Sequence, residues 1–255
     1  MAHALTETPA RAILRVRPLV DASSAMADPA AIAALAAANG YLFFRRLVER
    51  DGVLALRDRV LDLCAHRGWL DEAAPRARGV ARENIAGIAT RDELLAIQAG
   101  IQALPEFAKL RSHPAILAVL ESIFGAAPTA GYGDVCRLSF AGDLERTTPP
   151  HQDYFYTRGS TSLWTAWIPL GDCPGRLGGL AVIPASHASG LWPHEGGDGE
   201  ARFIPLDDDA PWVGASYRAG DVLLLSALTV HGARPNVSDD RIRLSIDCRY
   251  QPSST

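Results

Sequence analysis

Close cysteine pairs are missing from this chain: Cys64, Cys136, Cys173 and Cys248 lie far apart and form no Cys-x-x-Cys motif. That spacing excludes a zinc ribbon and a disulfide framework, and it leaves four buried or incidental thiols. Long apolar runs are missing too, so no stretch is long enough to cross a bilayer. The opening "MAHALTETPARAILRVRPLV" lacks the basic-then-apolar layout of a secretory signal, and the expectation is a cytoplasmic protein. In that setting the glycosylation-like triplet Asn236-Val237-Ser238 has no consequence. An excess of positive charge is also absent: the net charge of −4 gives no electrostatic reason to expect a nucleic acid, so the expected partner is a small molecule. Finally, no internal repeat, low-complexity tract or clear linker interrupts the sequence, and residues 1–255 are expected to form one domain.

What is present supports a substantial core, with 48% hydrophobic and 21% charged residues. Residues 1–130 read mainly as helix. In "ADPAAIAALAAANG", Asp28 suits a cap, Pro29 the first helical position and Gly40 the position past the end. A short strand, "YLFF", follows. "ERDGVLALRDRVLDLCAHRGW" spaces Val53, Leu56, Val60, Leu63 and Cys64 as a helical apolar stripe that needs a sheet to cover. Thr90 and Glu93 have capping-box spacing at the head of "TRDELLAIQAG", and a further helix runs from Pro114 to Gly125. The stretch 70–90 between these regions has weak periodicity and reads as a loop. From about Gly131 the texture changes to short β-like runs: "DVCRLSF", "TSLWTAWIPL", "LAVIPAS", "ARFIPL", "DVLLLSAL" and "RIRLSIDCRY". Helices followed by many short strands predict an α+β fold, in which residues 131–255 form an antiparallel sandwich or barrel braced by the helices.

Chemistry concentrates in "TTPPHQDYFY". If this stretch is extended, His151 and Asp153 stand side by side on one face. One more histidine would complete a 2-His-1-carboxylate metal triad, although a His-x-Asp triplet also arises by chance. His231, in "LTVHGARPN" after the apolar run "DVLLLSAL", is placed to be that ligand or to be a hydrogen-bonded core residue. In "RIRLSIDCRY" the residues alternate strictly, with Ile242, Leu244, Ile246, Cys248 and Tyr250 on one face and Arg241, Arg243, Ser245, Asp247 and Arg249 on the other. The polar face either meets solvent or, through Arg243 and Ser245, offers a guanidinium fork and a hydroxyl to a carboxylate. Gly178 and Gly179 read as a turn between strands, since no Lys-Ser/Thr follows them, and Ser186-His187 has no nucleophile-elbow pattern.

The ordered series "HQD", "WTAWIPLGDC", "GGLAVIPASHASG", "GDVLLLSALTVHGARPNVSDD" and "RIRLSIDCRYQP" resembles the phytanoyl-CoA dioxygenase family of iron(II)- and 2-oxoglutarate-dependent oxygenases, over most of the chain. The resemblance implies a double-stranded β-helix, a cupin-like jelly roll with the metal between its sheets. It implies His151, Asp153 and His231 as iron ligands and a basic residue beyond His231 as the anchor of 2-oxoglutarate. Arg243 with Ser245 is the favoured anchor and Arg241 the rival. Trp167 is expected either to line the cosubstrate pocket or to pack in the core. Ala233 stands where some members carry a serine. The implied reaction consumes oxygen and 2-oxoglutarate, releases succinate and carbon dioxide, and oxidises a bound small molecule. Halogenating members have lost the carboxylate ligand, so Asp153 implies hydroxylation. Phe155, on the ligand face if the stretch is a strand, and Arg137, in a strand entering the core, are candidates for substrate contact. A jelly-roll zinc hydrolase or isomerase, which needs no Arg-x-Ser receptor, and a catalytically silent binding module are the alternatives.

Overall fold

The computed structural model describes residues 15–85, 89–144, 146–196 and 202–253. The expected end signals act where the sequence puts them. Helix α1 (Pro29–Asn39) begins with the Asp28 carboxylate accepting from the amides of Ala30 and Ala31, and it ends at Gly40 in the left-handed conformation. Helix α2 (Arg50–His66) buries Val53, Leu56, Val60, Leu61 and Cys64. Each large apolar side chain of that stripe stabilises the fold by about 1.5–3 kcal/mol relative to exposure. Helix α3 (Arg91–Gln102) starts in the Thr90–Glu93 capping box. Helices α4 (Pro105–Arg111) and α5 (Pro114–Phe124) each start at a proline. Among its described residues the loop read over 70–90 contains one 3-10 turn, Arg76–Arg78; residues 86–88 lie outside the described residues.

Two sheets carry the strands. The larger has the order β2 (Tyr41–Phe44), β8 (Val222–Ser226), β5 (Trp164–Pro169), β10 (Arg243–Pro252), β3 (Pro128–Ala130), with β4 (Val135–Ser139) also paired to β10. All its pairings are antiparallel. The smaller has the order β1 (Arg17–Pro18), β7 (Val213–Gly214), β6 (Leu180–Val182), β9 (His231–Ala233). Side chains of the larger sheet alternate between two environments. Leu42, Phe44, Ala166, Ile168, Leu224, Leu244, Ile246 and Cys248 pack with α1, α2 and α5 in one apolar core. Phe43, Trp167, Leu223 and Leu225 turn the other way, onto Leu180, Val182 and Val213 of the smaller sheet. The fold is therefore α+β, a two-sheet sandwich braced by helices on one face.

Three expectations are corrected. The run at 201–206 forms no strand among the described residues, and Phe203 makes only an isolated bridge to Glu195. Besides the expected strand "YLFF" (β2), two short strands not expected from the sequence, β1 and β3, also precede residue 131. Lastly, "TTPPHQDYFY" is not a strand: His151 makes one isolated bridge, to His231, and Asp153 opens a short helix α6 (Asp153–Thr157). Pro149 and Pro150 have no amide to donate to a ladder, so beyond that bridge the stretch meets β9 only where the Ala233 amide donates to the Thr148 carbonyl at 2.9 Å. Gly178 sits in the turn expected there, at φ +80°, and an added Cβ would collide with the Arg234 carbonyl oxygen.

Candidate metal and cosubstrate site

His151 and His231 are joined through their backbones, the amide of each donating to the carbonyl of the other at 2.8 and 3.0 Å. This pairing places the imidazoles next to each other, ring centres 4.2 Å apart. Gln152 is extended, with φ −117° and ψ 132°, so Asp153 falls on the same side as His151 even though the helix begins there. The Gln152 side chain is fully buried and holds the turn in place. Its amide nitrogen donates to the carbonyls of Gly190 and Leu228, and its oxygen accepts from the Trp192 amide. One ligand atom from each of His151, Asp153 and His231 lies within 4.8 Å of the others, all buried, a spacing that one ion can bridge.

Hydrogen bonds around the triad fix which atoms face the metal. His151 Nδ1 lies 2.8 Å from the Pro149 carbonyl and His231 Nδ1 lies 2.9 Å from the Thr229 carbonyl. A carbonyl only accepts, so each Nδ1 carries the proton and each Nε2 keeps a lone pair for a metal. Burial, reinforced by His151, pushes His231 down to about 4, which keeps its ring neutral and able to ligate. For Asp153, burial works to raise the carboxyl, but the Arg249 guanidinium together with His151 and His231 outweighs it and holds the group well below its ordinary value. Arg249 Nη2 donates to Asp153 Oδ1 at 2.9 Å, the Thr165 hydroxyl donates to Oδ2 at 2.6 Å, and Arg249 Nη1 donates to the Gly133 carbonyl. Oδ2 also accepts from Arg249 Nε at 3.4 Å, whereas Oδ1 accepts only from Nη2 among the described residues and retains a second lone pair, so these bonds orient Asp153 without blocking it.

Behind the triad lies a narrow chamber between the sheets, lined by Thr165, Trp167, Ala233, Arg243 and Asp247. Arg243 is 3% exposed, and burial lowers its affinity for its proton. Its Nη1 donates to the Ser245 hydroxyl at 3.0 Å, and its Nε has no partner among the described residues. Trp167 Nε1, in the same wall, is likewise buried without a partner among the described residues. A buried guanidinium bonded only to a hydroxyl, one chamber away from three metal ligands, fits the distal carboxylate of a chelating dicarboxylate. The residues present therefore suit both iron and 2-oxoglutarate. Arg241 is not among them. Regular pairing starts only at Arg243, whereas Arg241 bridges Val80 and its carbonyl accepts from Asn236. Its side chain lines a different cavity, with Arg45 and Asp172, so the alternation of the strand does not extend back to it.

In front of the triad a cavity of about 820 Å³ opens on His151 and Asp153. Its wall includes Tyr132, Val135, Arg137, Tyr156 and Leu163. Arg137 lines both this cavity and the inner chamber; its Nε donates to Asp247 at 2.6 Å. Phe155 is not in the wall. Because α6 turns where a strand was expected, Phe155 stacks on His194 with ring centres 4.1 Å apart, and Tyr156 takes the position against His151. Sequence reasoning also missed Arg249, Thr165 and Gln152. Arg249 shares the polar face of β10 with Arg243, and Thr165 stands two residues before Trp167, so period-2 alternation held a signal for both.

Comparison with known proteins agrees with this geometry. The family described as "Phytanoyl-CoA dioxygenase (PhyH)" matches residues 37–245. The chain is 28% identical over 252 residues to 1-deoxypentalenic acid 11-beta-hydroxylase of Streptomyces exfoliatus, covering 92% of this chain and 86% of that protein. It is 30% identical over 234 residues to the enzyme of the same name from Streptomyces arenae, covering 85% and 79%. Among solved structures, the epimerase SnoN in complex with Fe3+, alpha ketoglutarate and nogalamycin RO is 26% identical, with a TM-score of 0.61, covering 88% of this chain and 85% of that one. The carbocyclase SnoK from nogalamycin biosynthesis shares the fold at 21% identity, with a TM-score of 0.59, covering 92% and 87%.

Proposed function

As this chain belongs to the phytanoyl-CoA dioxygenase family, among iron- and 2-oxoglutarate-dependent oxygenases with a jelly-roll core, we propose that it hydroxylates an unactivated C–H bond of a small-molecule metabolite or natural-product intermediate, with release of succinate and carbon dioxide. One observation carries the reading: His151 and Asp153 border both the Arg243 chamber and the 820 Å³ cavity, so a metal held by the triad would be open to cosubstrate on one side and substrate on the other. Bound iron(II) would supply oxygen activation, with 2-oxoglutarate as the reductant. The chain's own residues do the rest. His151, Asp153 and His231 hold the ion by one face, and Arg243 with Ser245 grips the distal carboxylate. Trp167 and Leu225 help keep water out of the chamber, and Asp153 fills the position that a halide would need. A zinc hydrolase would have no use for Arg243, and a silent module would have no use for the two protonated Nδ1 atoms that aim each Nε2 at one point. The helices and the sandwich are proposed to act as one domain, because α1, α2, α5 and β10 share one apolar core. Among the described residues no helix is long and apolar enough to cross a membrane.

The test is a screen of small-molecule candidates with iron(II), 2-oxoglutarate and oxygen, reading succinate release and product mass. Hydroxylation adds one oxygen atom to the product per succinate formed. A product of unchanged mass, or one that has lost two hydrogens, with stoichiometric succinate would replace hydroxylation with epimerisation or with desaturation or ring closure.

A further inference from the structure

The walls around the triad contain more positive charge than its two occupants can balance. Three guanidinium groups, on Arg137, Arg243 and Arg249, face two carboxylates, on Asp153 and Asp247. Arg137 is paired with Asp247, and Arg249 with Asp153. On the reading above, Arg243 is balanced by the distal carboxylate of 2-oxoglutarate. A divalent ion is balanced by Asp153 and the near carboxylate. Asp153 then serves two cations at once, and one positive charge remains on the wall shared by Arg249 and Arg137. Both residues line the outer cavity, where the only acid among the described residues is Asp153 itself. The remaining arginine of the lining, Arg146, is already paired with Asp143 at 2.7 Å.

From this we propose that the substrate is a monocarboxylate with an apolar body, its carboxylate held by Arg137; the proposal rests on the iron and 2-oxoglutarate reading of the same site. Arg137 has the geometry for the task. Its Nε is committed to Asp247 and its Nη1 donates to Thr148 at 3.2 Å. Nη2 has no hydrogen-bond partner among the described residues, and the side chain is about a quarter exposed. It can therefore keep its structural pair and still donate to a ligand. The body of the ligand would meet Val135, Leu163 and the rings of Tyr132 and Tyr156. Tyr132 and Tyr156 are 39% and 51% exposed, so both rings are open to a ligand in the cavity. One surplus charge matches one carboxylate. A phosphate monoester or a coenzyme A thioester would bring more negative charge than this wall offers.

The test uses the full-length protein with iron(II) and saturating 2-oxoglutarate under anaerobic conditions, where the chelate gives a visible charge-transfer band. Formation of that band tests the underlying reading; its perturbation by a second ligand tests this inference. The probes are 1-adamantanecarboxylate and 1-adamantanecarboxamide, which share one rigid apolar body and differ in charge. The carboxylate should perturb the band at a concentration lower by about ten-fold or more, as expected for one lost charge-assisted hydrogen bond. That preference should vanish in the Arg137→Gln/Asp247→Asn double variant, which removes both charges of the pair together and so leaves neither buried alone. If the band forms but the two probes act alike, or neither acts, the proposal fails while the cosubstrate reading stands. A ten-fold or greater rise in the 2-oxoglutarate needed by the double variant would instead assign Arg137 to the cosubstrate and overturn it.

Discussion

Arg243 makes no ion pair among the described residues, which makes its removal informative. If it binds the distal carboxylate of 2-oxoglutarate, Arg243→Ala leaves that charge in a partly dry chamber without a partner, at a cost of about 2–5 kcal/mol. At about 1.4 kcal/mol per ten-fold, the 2-oxoglutarate affinity read from the charge-transfer band should fall between about thirty-fold and several thousand-fold. Arg243→Lys should restore part of it, since an ammonium keeps the charge but not the fork. Arg241→Ala should bind normally, because that side chain lies in another cavity. A second prediction concerns Arg249, which orients the metal-binding carboxylate of Asp153. Arg249→Met should weaken iron binding by about ten- to a hundred-fold, the usual penalty for losing a partner of a metal ligand. His151→Ala and His231→Ala should abolish substrate oxidation with the fold retained, as judged by circular dichroism. At this scale the sequence was legible wherever a short spacing carried the meaning, as in His151 and Asp153. It was opaque for Arg241, because where a strand begins to pair depends on which residues it meets, here Val80 rather than β4.

Strand β10 shows why an alternating strand need not mean one wet face. Ile242, Leu244, Ile246, Cys248 and Tyr250 enter the core under the helices, as the pattern required, yet Arg243, Ser245, Asp247 and Arg249 are buried as well. The polar face meets the smaller sheet across the site, and its charges persist there because each is paired or awaits a ligand. The two faces should therefore be separable by mutation. Ile246→Ala removes a fully buried side chain on the helix side and should destabilise by about 2–5 kcal/mol in urea unfolding, with 2-oxoglutarate affinity unchanged. A parallel loss of affinity would mean that the two faces are mechanically coupled. The helices were legible because caps and prolines are local signals, whereas α6 was not: "HQDYFY" has the aromatic content of a strand, and only the lack of ladder donors at Pro149 and Pro150 and the docking of Tyr154 N on the Ala227 carbonyl turn it into a helix. Placing Phe155 on the ligand face followed from the strand reading, and it failed with it.

For the molecule as a whole, the site ties together parts that the apolar cores do not. Helices and the larger sheet share one core, the two sheets share another, and the triad with its chamber draws on α6, β5, β9 and β10 at the seam between the sheets. Neither core contains a ligand residue, so removing metal with a chelator should leave the chain folded. Ligands that bind only the folded state should then raise its stability by mass action, by about 2.7 kcal/mol for each one held at a hundred times its dissociation constant. For a chain of this size, about 2–4 °C of melting temperature corresponds to each kcal/mol, so each ligand alone is worth about 5–10 °C. Manganese(II) in place of iron(II) allows the measurement in air without turnover. Differential scanning fluorimetry of the chelated protein should show one rise on adding manganese and a second on adding 2-oxoglutarate, the second depending on the first because the chelate needs the metal. Arg243→Ala should keep the first rise and lose most of the second, and Asp153→Ala should lose both. A second rise that survives in Arg243→Ala, or that occurs without metal, would place the dicarboxylate somewhere other than the chamber behind His151 and His231.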